Sequence, residues 1–287
     1  MKEDRDDKSK TVTLTFSSAL EAHQWGSAET GMDVGQYDYD NHYSRVPGKV
    51  GDEWSGTKDF PESMELAGKG WESGTAAILD MVKQIETKDD LIQRGYDWDV
   101  TGDFFDVGEV IQGTPECWLT PAFEPAPRVI SICVNVSQSA SVKGKQIINR
   151  GAALLALIDR LQDTQEIIVD LTIYYGIGYI NINGWENGQG TLNIMFPVGT
   201  SPLPMQEVGF MLAHPSMIRR GCFSAAERVS GYNMPSGYGS VIDLPEEKQK
   251  EYSLYLGSSP RSNGLEDCDT VKGAVRWIHN QMAKMEL

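Results

Sequence analysis

The chain has 287 residues, with 41 Asp/Glu against 25 Lys/Arg and a formal net charge of −16 at neutral pH. With 40% hydrophobic and 23% charged residues its composition is that of an ordinary globular protein, which excludes wholesale disorder and supplies a sizeable core. The acidity is uneven, 25 acidic to 11 basic over 1–120 and 16 to 14 over 121–287, so a nucleic-acid surface is disfavoured on the N-terminal part, where phosphates would meet a negative face.

Residues 1–10, MKEDRDDKSK, read as a solvated, disordered tail lacking the apolar stretch of a signal peptide. Thr11–Phe16 alternates β-branched and apolar residues and predicts a strand, with Ser17 or Ser18 capping a short helix through Trp25. Residues 26–56, rich in Gly, Asp and Tyr, have no period and form a long loop. Two helices follow, one opened by Asp59 and Pro61 and stopped near Gly68 and Gly70, the next carrying Ile78, Met81, Val82 and Ile85. Leu91–Leu119 reads as β-rich, with turns at 101–103 and 113–115. Three prolines between Thr120 and Pro127 mark a boundary.

Beyond it the pattern is more regular. Val129–Val136 is an apolar run suited to a strand buried on both faces. Ile147, Ile148, Gly151, Leu154, Leu155, Ile158 and Leu161 mark one helix face, with Gly151 placed to let helix and sheet approach closely. Strands follow at Ile167–Tyr175, Thr191–Val198 and Tyr252–Leu256. Helices are predicted after Ser201-Pro202, after His214-Pro215 and after Asp269. The expectation is an α/β fold over 128–287, a sheet of mostly parallel or mixed strands flanked by helices. An acidic α+β region over 11–120 precedes it, as a separate unit or as part of one continuous domain.

Cys117, Cys133, Cys222 and Cys268 form no C-x-x-C pair, and no apolar run is long enough to span a bilayer, so a reduced cytoplasmic setting is expected. No Walker A sequence, nucleophile elbow or dinucleotide fingerprint occurs. Three features carry candidate chemistry. Asn135-Val136-Ser137-Gln138-Ser139 follows the first buried strand of the C-terminal half, then comes a basic turn, Lys143-Gly144-Lys145. Asp97, Asp99, Asp103 and Asp106 surround one turn and could serve Ca²⁺ or Mg²⁺ in a metal-dependent hydrolase, although they match no twelve-residue calcium loop. His214 with Arg219 and Arg220 offers a general base beside an anion clamp. Their ordinary roles are turn-making, helix capping and salt-bridging.

Strand, N-x-S-x-S, basic turn, helix and second strand together resemble the opening of a von Willebrand factor A-type domain over about residues 129–200. The resemblance implies a Mg²⁺ held by Asn135, Ser137 and Ser139, with Thr200 contributing a hydroxyl, and a carboxylate of a partner protein completing the metal's shell. Position 135 is Asn where that family presents Asp, so the anionic ligand a hard cation needs is missing and the site is degenerate. GDFFDVGEVIQGTPECW and RGAALLALIDRL are similar to uncharacterised tailed-bacteriophage proteins, which implies an accessory factor in the host cytoplasm. The leading expectation is therefore a non-catalytic adaptor that engages a phage or host protein, with Tyr37, Tyr39, Tyr43 and Trp54 as aromatic anchors. The alternative is a single-stranded-DNA-binding factor recruiting a polymerase or replication machinery, with a local groove of Lys143, Lys145, Arg150, Arg219 and Arg220.

Overall fold

The computed structural model describes residues 1–27, 52–83, 96–102, 104–121, 127–139, 141–162, 167–182, 185–229 and 238–258, together with 273, 276–277, 280 and 283. Tyr37, Tyr39 and Tyr43 lie outside these residues. Of the predicted last helix, the described residues Gly273, Arg276, Trp277, Asn280 and Ala283 are helical.

The acidic opening is ordered as strand β1 (Lys2–Asp6), paired antiparallel with β2 (Thr11–Thr15), so the expected disordered tail is a sheet edge. Its five residues are all exposed and all charged, which suits an edge that must not recruit foreign strands. Val12 and Leu14 point inward from β2, and helix α1 (Ala19–Ser27) follows it. Ser18 Oγ accepts the Glu21 N–H and the Glu21 carboxylate accepts the Ser17 N–H, a reciprocal cap that starts α1 where the sequence predicted. After α2 (Asp52–Ser55), Asp59 caps α3 (Phe60–Lys69), and α4 (Glu72–Lys83) comes next.

Residues 96–121 form a unit with a sheet of their own. Strands β3 (Tyr96–Asp99) and β4 (Phe104–Phe105) both pair antiparallel with β5 (Trp118–Pro121), and helix α5 (Val107–Gln112) bridges β4 to β5. The remaining strands complete the large sheet. In β6 (Arg128–Asn135), α6 (Gly144–Gln162) and β7 (Ile167–Ile182) the chain makes a parallel strand–helix–strand crossover. It then turns back along β7 as the antiparallel β8 (Trp185–Thr200). Helix α7 (Met205–Ala213), a π-helical turn (Met217–Cys222) and α8 (Phe223–Glu227) follow. Last among the described elements are β9 (Ser240–Val241), α9 (Glu246–Gln249) and β10 (Leu254–Leu256).

The large sheet runs β1-β2-β8-β7-β6-β10, with β9 added alongside β7. This is the mixed, helix-flanked α/β architecture expected, and it is consistent with an A-like arrangement of strands around β6. β6 lies between two parallel neighbours, β7 along its length and β10 beside Ile132–Val134, which suits its largely apolar sequence. One large core joins the inward residues Leu14, Ile132, Leu171, Ile173 and Phe196 to α1, α3, α4, α6, α7 and α8. Because β2, α1, α3 and α4 belong to that core, the boundary read at Thr120–Pro127 separates the two sheets and not two halves of the chain.

Two details differ from the sequence reading for steric reasons. Gly151 opens a close approach between two helices: a Cβ there would lie 2.2 Å from Ala213 Cα of α7. Ser201 does not cap α7, whose N-cap is Pro204; its hydroxyl instead accepts the Val169 N–H at 2.8 Å, tying the end of β8 to β7.

Candidate functional site

In an open α/β sheet the natural ligand crevice lies beyond the carboxyl ends of adjacent parallel strands, where chain direction switches sides. Here that place is between β6, whose crossover leads to β7, and β10 on its other side. The N-x-S-x-S segment sits there, as the sequence reading required. Asn135 and Ser137, however, spend their side chains on the chain itself, while the Gln138 amide nitrogen is buried without a hydrogen-bond partner.

Asn135 is fully buried. Its amide donates to Ile242 O and to Asp243 Oδ1, both at 2.8 Å, while its Oδ1 accepts the Ser137 N–H at 3.0 Å. Ser137, also fully buried, accepts the Gly176 N–H on its hydroxyl at 2.7 Å and so locks the loop to β7. Ser139 is exposed and shares a hydrogen bond with the Ser141 hydroxyl at 3.1 Å. Thr200 is remote. It stands opposite Asp170 on β7 while Asn135 stands opposite Tyr174, four residues along the same strand. With a rise near 3.3 Å per residue and β6 and β8 on opposite sides of β7, two strand spacings of about 4.8 Å apart, that places it about 16 Å away. The four residues proposed for Mg²⁺ therefore do not converge and do not fit the ion. The ligand set that the resemblance implies is therefore not assembled.

The crevice is closed by two further groups. Asp243 Oδ1 accepts hydrogen bonds from Asn135, from the Tyr255 hydroxyl at 3.0 Å and from Ser258 N–H at 2.9 Å. Arg150 reaches back from α6 and donates to Asn135 O at 2.7 Å and Gly257 O at 2.8 Å, bridging the ends of β6 and β10. Beside Asp243, burial pushes the Tyr255 phenol well above its ordinary range, so it stays a neutral donor.

The basic groove predicted for single-stranded DNA is not assembled. Lys143 and Lys145 are exposed, but Arg150, Arg219 and Arg220 are buried. Arg219 donates to Trp54 O and Val142 O and lies 4.2 Å over the Trp54 ring. Arg220 donates to Thr57 Oγ1 at 2.7 Å and Thr57 O at 2.8 Å. Their cations hold the π-helical turn against the segment around α2, a task that five fixed donors per guanidinium perform well. Trp54 lies partly buried beneath Arg219 and so is no exposed anchor.

His214 is likewise structural. Its Nδ1 shares a hydrogen bond with Ser216 Oγ at 2.7 Å, its ring packs on Trp71 and Phe210, and burial lowers its pKa to about 4. His23 is a second buried histidine that sequence reasoning did not single out. It links Ala19 O to the Ser63 hydroxyl, both at 2.8 Å, and burial holds it near 4 as well. The helical spacing of His23 among Ala19, Ala22 and Gly26 was the available signal. Among the described residues, no group of three or more His, Cys, Asp or Glu could hold a metal ion. Of the aspartate set, Asp106 is the N-cap of α5, accepting from Gly108 and Glu109 N–H, and Asp99 accepts the Val100 N–H. The side chains of Asp97 and Asp103 lie outside the described residues.

What the small sheet displays instead is apolar. On α5, Val107, Val110 and Ile111 occupy positions i, i+3 and i+4, the spacing of a helix face made for burial, yet they are 59%, 46% and 80% exposed. Phe104 and Phe105 of β4 are 60% and 55% exposed beside them, and Val100 at the preceding turn is 57% exposed. Phe105 is held by an edge-on contact with Trp118, 5.6 Å between centroids. Large apolar side chains scattered singly on a surface mean little, but here six fall within twelve residues, five of them on one short helix and the strand leading into it.

Fold and site together define a mixed α/β protein with a sealed crevice and an exposed apolar platform. The chain belongs to the family described as Domain of unknown function (DUF7192), whose model matches residues 10–278 and so takes in the small sheet and all of the large sheet except β1. That family brings no catalytic assignment. No curated protein and no solved structure matches the chain. Among the described residues no helix is long and apolar enough to cross a membrane.

Proposed function

We propose that this protein is a non-catalytic binding protein that engages another protein through the platform formed by β4 and α5. The observation that carries the reading is the exposure of the α5 stripe, Val107, Val110 and Ile111, next to Phe104. Leaving these side chains in water forgoes roughly 1.5–3 kcal/mol for each fully buried equivalent, a loss that a docked partner recovers. The β6–β10 crevice supports the same reading, since Asn135, Ser137 and Asp243 are already hydrogen-bonded within their own chain and are poorly placed to hold a substrate. The resemblance of the platform's own sequence, GDFFDVGEVIQGTPECW, to tailed-phage proteins supports a phage or host protein as the partner.

The test is affinity capture from host or infected-cell lysate with wild type and with the double variant F104S/I111S, whose sites are exposed enough for the fold to tolerate the change. A stoichiometric partner retained by wild type and lost by a variant of unchanged circular dichroism supports the proposal. Equal recovery by both proteins, or no partner at all, rejects it.

A further inference from the structure

Resting on the reading of β4–α5 as a docking surface, we infer that its occupant is a basic amphipathic protein segment that covers the apolar stripe and meets the surrounding carboxylates with Lys or Arg. The charge of the unit itself points to this. Residues 96–121 contain Asp97, Asp99, Asp103, Asp106, Glu109 and Glu116 and no lysine or arginine. Asp99, adjoining the exposed Val100, and Glu116, two residues before β5, are exposed, and the unit contains no lysine or arginine to neutralise them. A partner must therefore satisfy two demands at once: apolar side chains to cover Phe104 and Ile111, and positive charge at the rim, where electrostatic complementarity speeds encounter and rejects wrong partners.

The same charge argues against the other occupants. A second copy would bring six more carboxylates against the first six. Nucleic acid or an anionic bilayer would bring phosphates, with the same repulsion. The geometry also favours a short segment over a broad surface. A six-residue helix presents one stripe of three residues, which suits an apolar face repeating at three and four positions, as in helix-on-helix docking.

Fluorescence anisotropy with three synthetic 18-residue helical peptides tests the idea. All share one leucine face, and the opposite face is lysine, glutamine or glutamate. They are titrated against wild type, F104S/I111S and D99N/E116Q, with light scattering of each protein alone. Support consists of the lysine peptide binding wild type at least tenfold tighter than the glutamine peptide, weakening with added salt, weakening in D99N/E116Q and being lost in F104S/I111S. If glutamine or glutamate peptides bind equally well and are lost in F104S/I111S, the docking surface stands and the basic occupant is overturned. Peptides that bind wild type and F104S/I111S alike, or neither, overturn both. A dimer of wild type that F104S/I111S dissolves identifies a second copy as the occupant and overturns the inference.

Discussion

Replacing Asn135 by aspartate is the sharpest test of the sealed crevice, because it restores the residue that the A-type resemblance calls for. The amide donates both its hydrogens, to Ile242 O and Asp243 Oδ1, in a fully buried setting. A carboxylate donates none and faces Asp243 across a hydrogen-bond distance. Two charges about 4 Å apart repel by about 4 kcal/mol at an effective dielectric of 20. A lost hydrogen bond to a charged group adds about 1.5 kcal/mol or more. Some 5 kcal/mol, set against an unfolding entropy of about 2.1 cal/mol/K per residue, lowers Tm by about 8 °C. Differential scanning calorimetry at pH 7 should show that drop for N135D and a smaller one for N135A, which lacks the repulsion. The gap between the two variants should narrow in acid as the new carboxyl takes up a proton. N135D/D243N, which moves the amide to the other partner, should regain most of the loss. Millimolar magnesium should leave N135D unshifted. Should N135D melt within a degree or two of wild type, or should magnesium stabilise it strongly, the reading of this crevice as a structural knot is wrong.

Other consequences follow from the same geometry. His23 and His214 are neutral in the fold, with pKa values lowered by burial from 6.5 to about 4. Above pH 6.5 both are neutral folded or unfolded. As pH falls from 6.5 towards 4 only the unfolded chain gains these protons, so stability should drop by up to about 3 kcal/mol per histidine and then level off. Urea unfolding across that window should show the slope, and H214Q should remove about half of it; a flat profile in wild type refutes the burial. G151A should destabilise by about 1–3 kcal/mol despite alanine's better helix propensity, because its Cβ meets the Ala213 backbone, which cannot rotate aside. Chemical denaturation that finds G151A more stable would show that α6 and α7 are further apart. F104S/I111S should leave the melting temperature within a few degrees of wild type, since neither side chain is buried; a large drop would mean they pack in the core.

Periodicity made most of the large sheet legible, because its elements answer to strong local rules. Val129–Val136 had to be a strand covered on both faces, and the 147–161 stripe had to be a helix. What periodicity could not show was the direction of charge. Arg150, Arg219 and Arg220 read as surface cations because arginine usually is one; their burial depends on carbonyls contributed from 15 to 165 residues away, a pairing no local pattern records. The N-x-S-x-S loop failed for the same reason. Its position was correctly read, but whether its oxygens face a cation or their own backbone was settled by Asp243, more than a hundred residues on.

The platform shows the opposite case, a local signal that was present and passed over. Asp106-x-x-Glu109 followed by Gly113 is a helix start and a left-handed stop, and Asp106 and Gly113 act as those caps. Between them Val107, Val110 and Ile111 form a stripe that any amphipathic reading assigns to a core. A stripe of that kind states only that something must cover it. In α1, α3 and α6 the cover is the chain's own core, so pattern and burial agree. In α5 none of the residues is buried, so the pattern survives without a cover among the described residues. The disagreement between a helix face patterned for burial and the water it meets is therefore what supports the proposed docking surface. It becomes visible only when sequence pattern and solvent exposure are compared residue by residue.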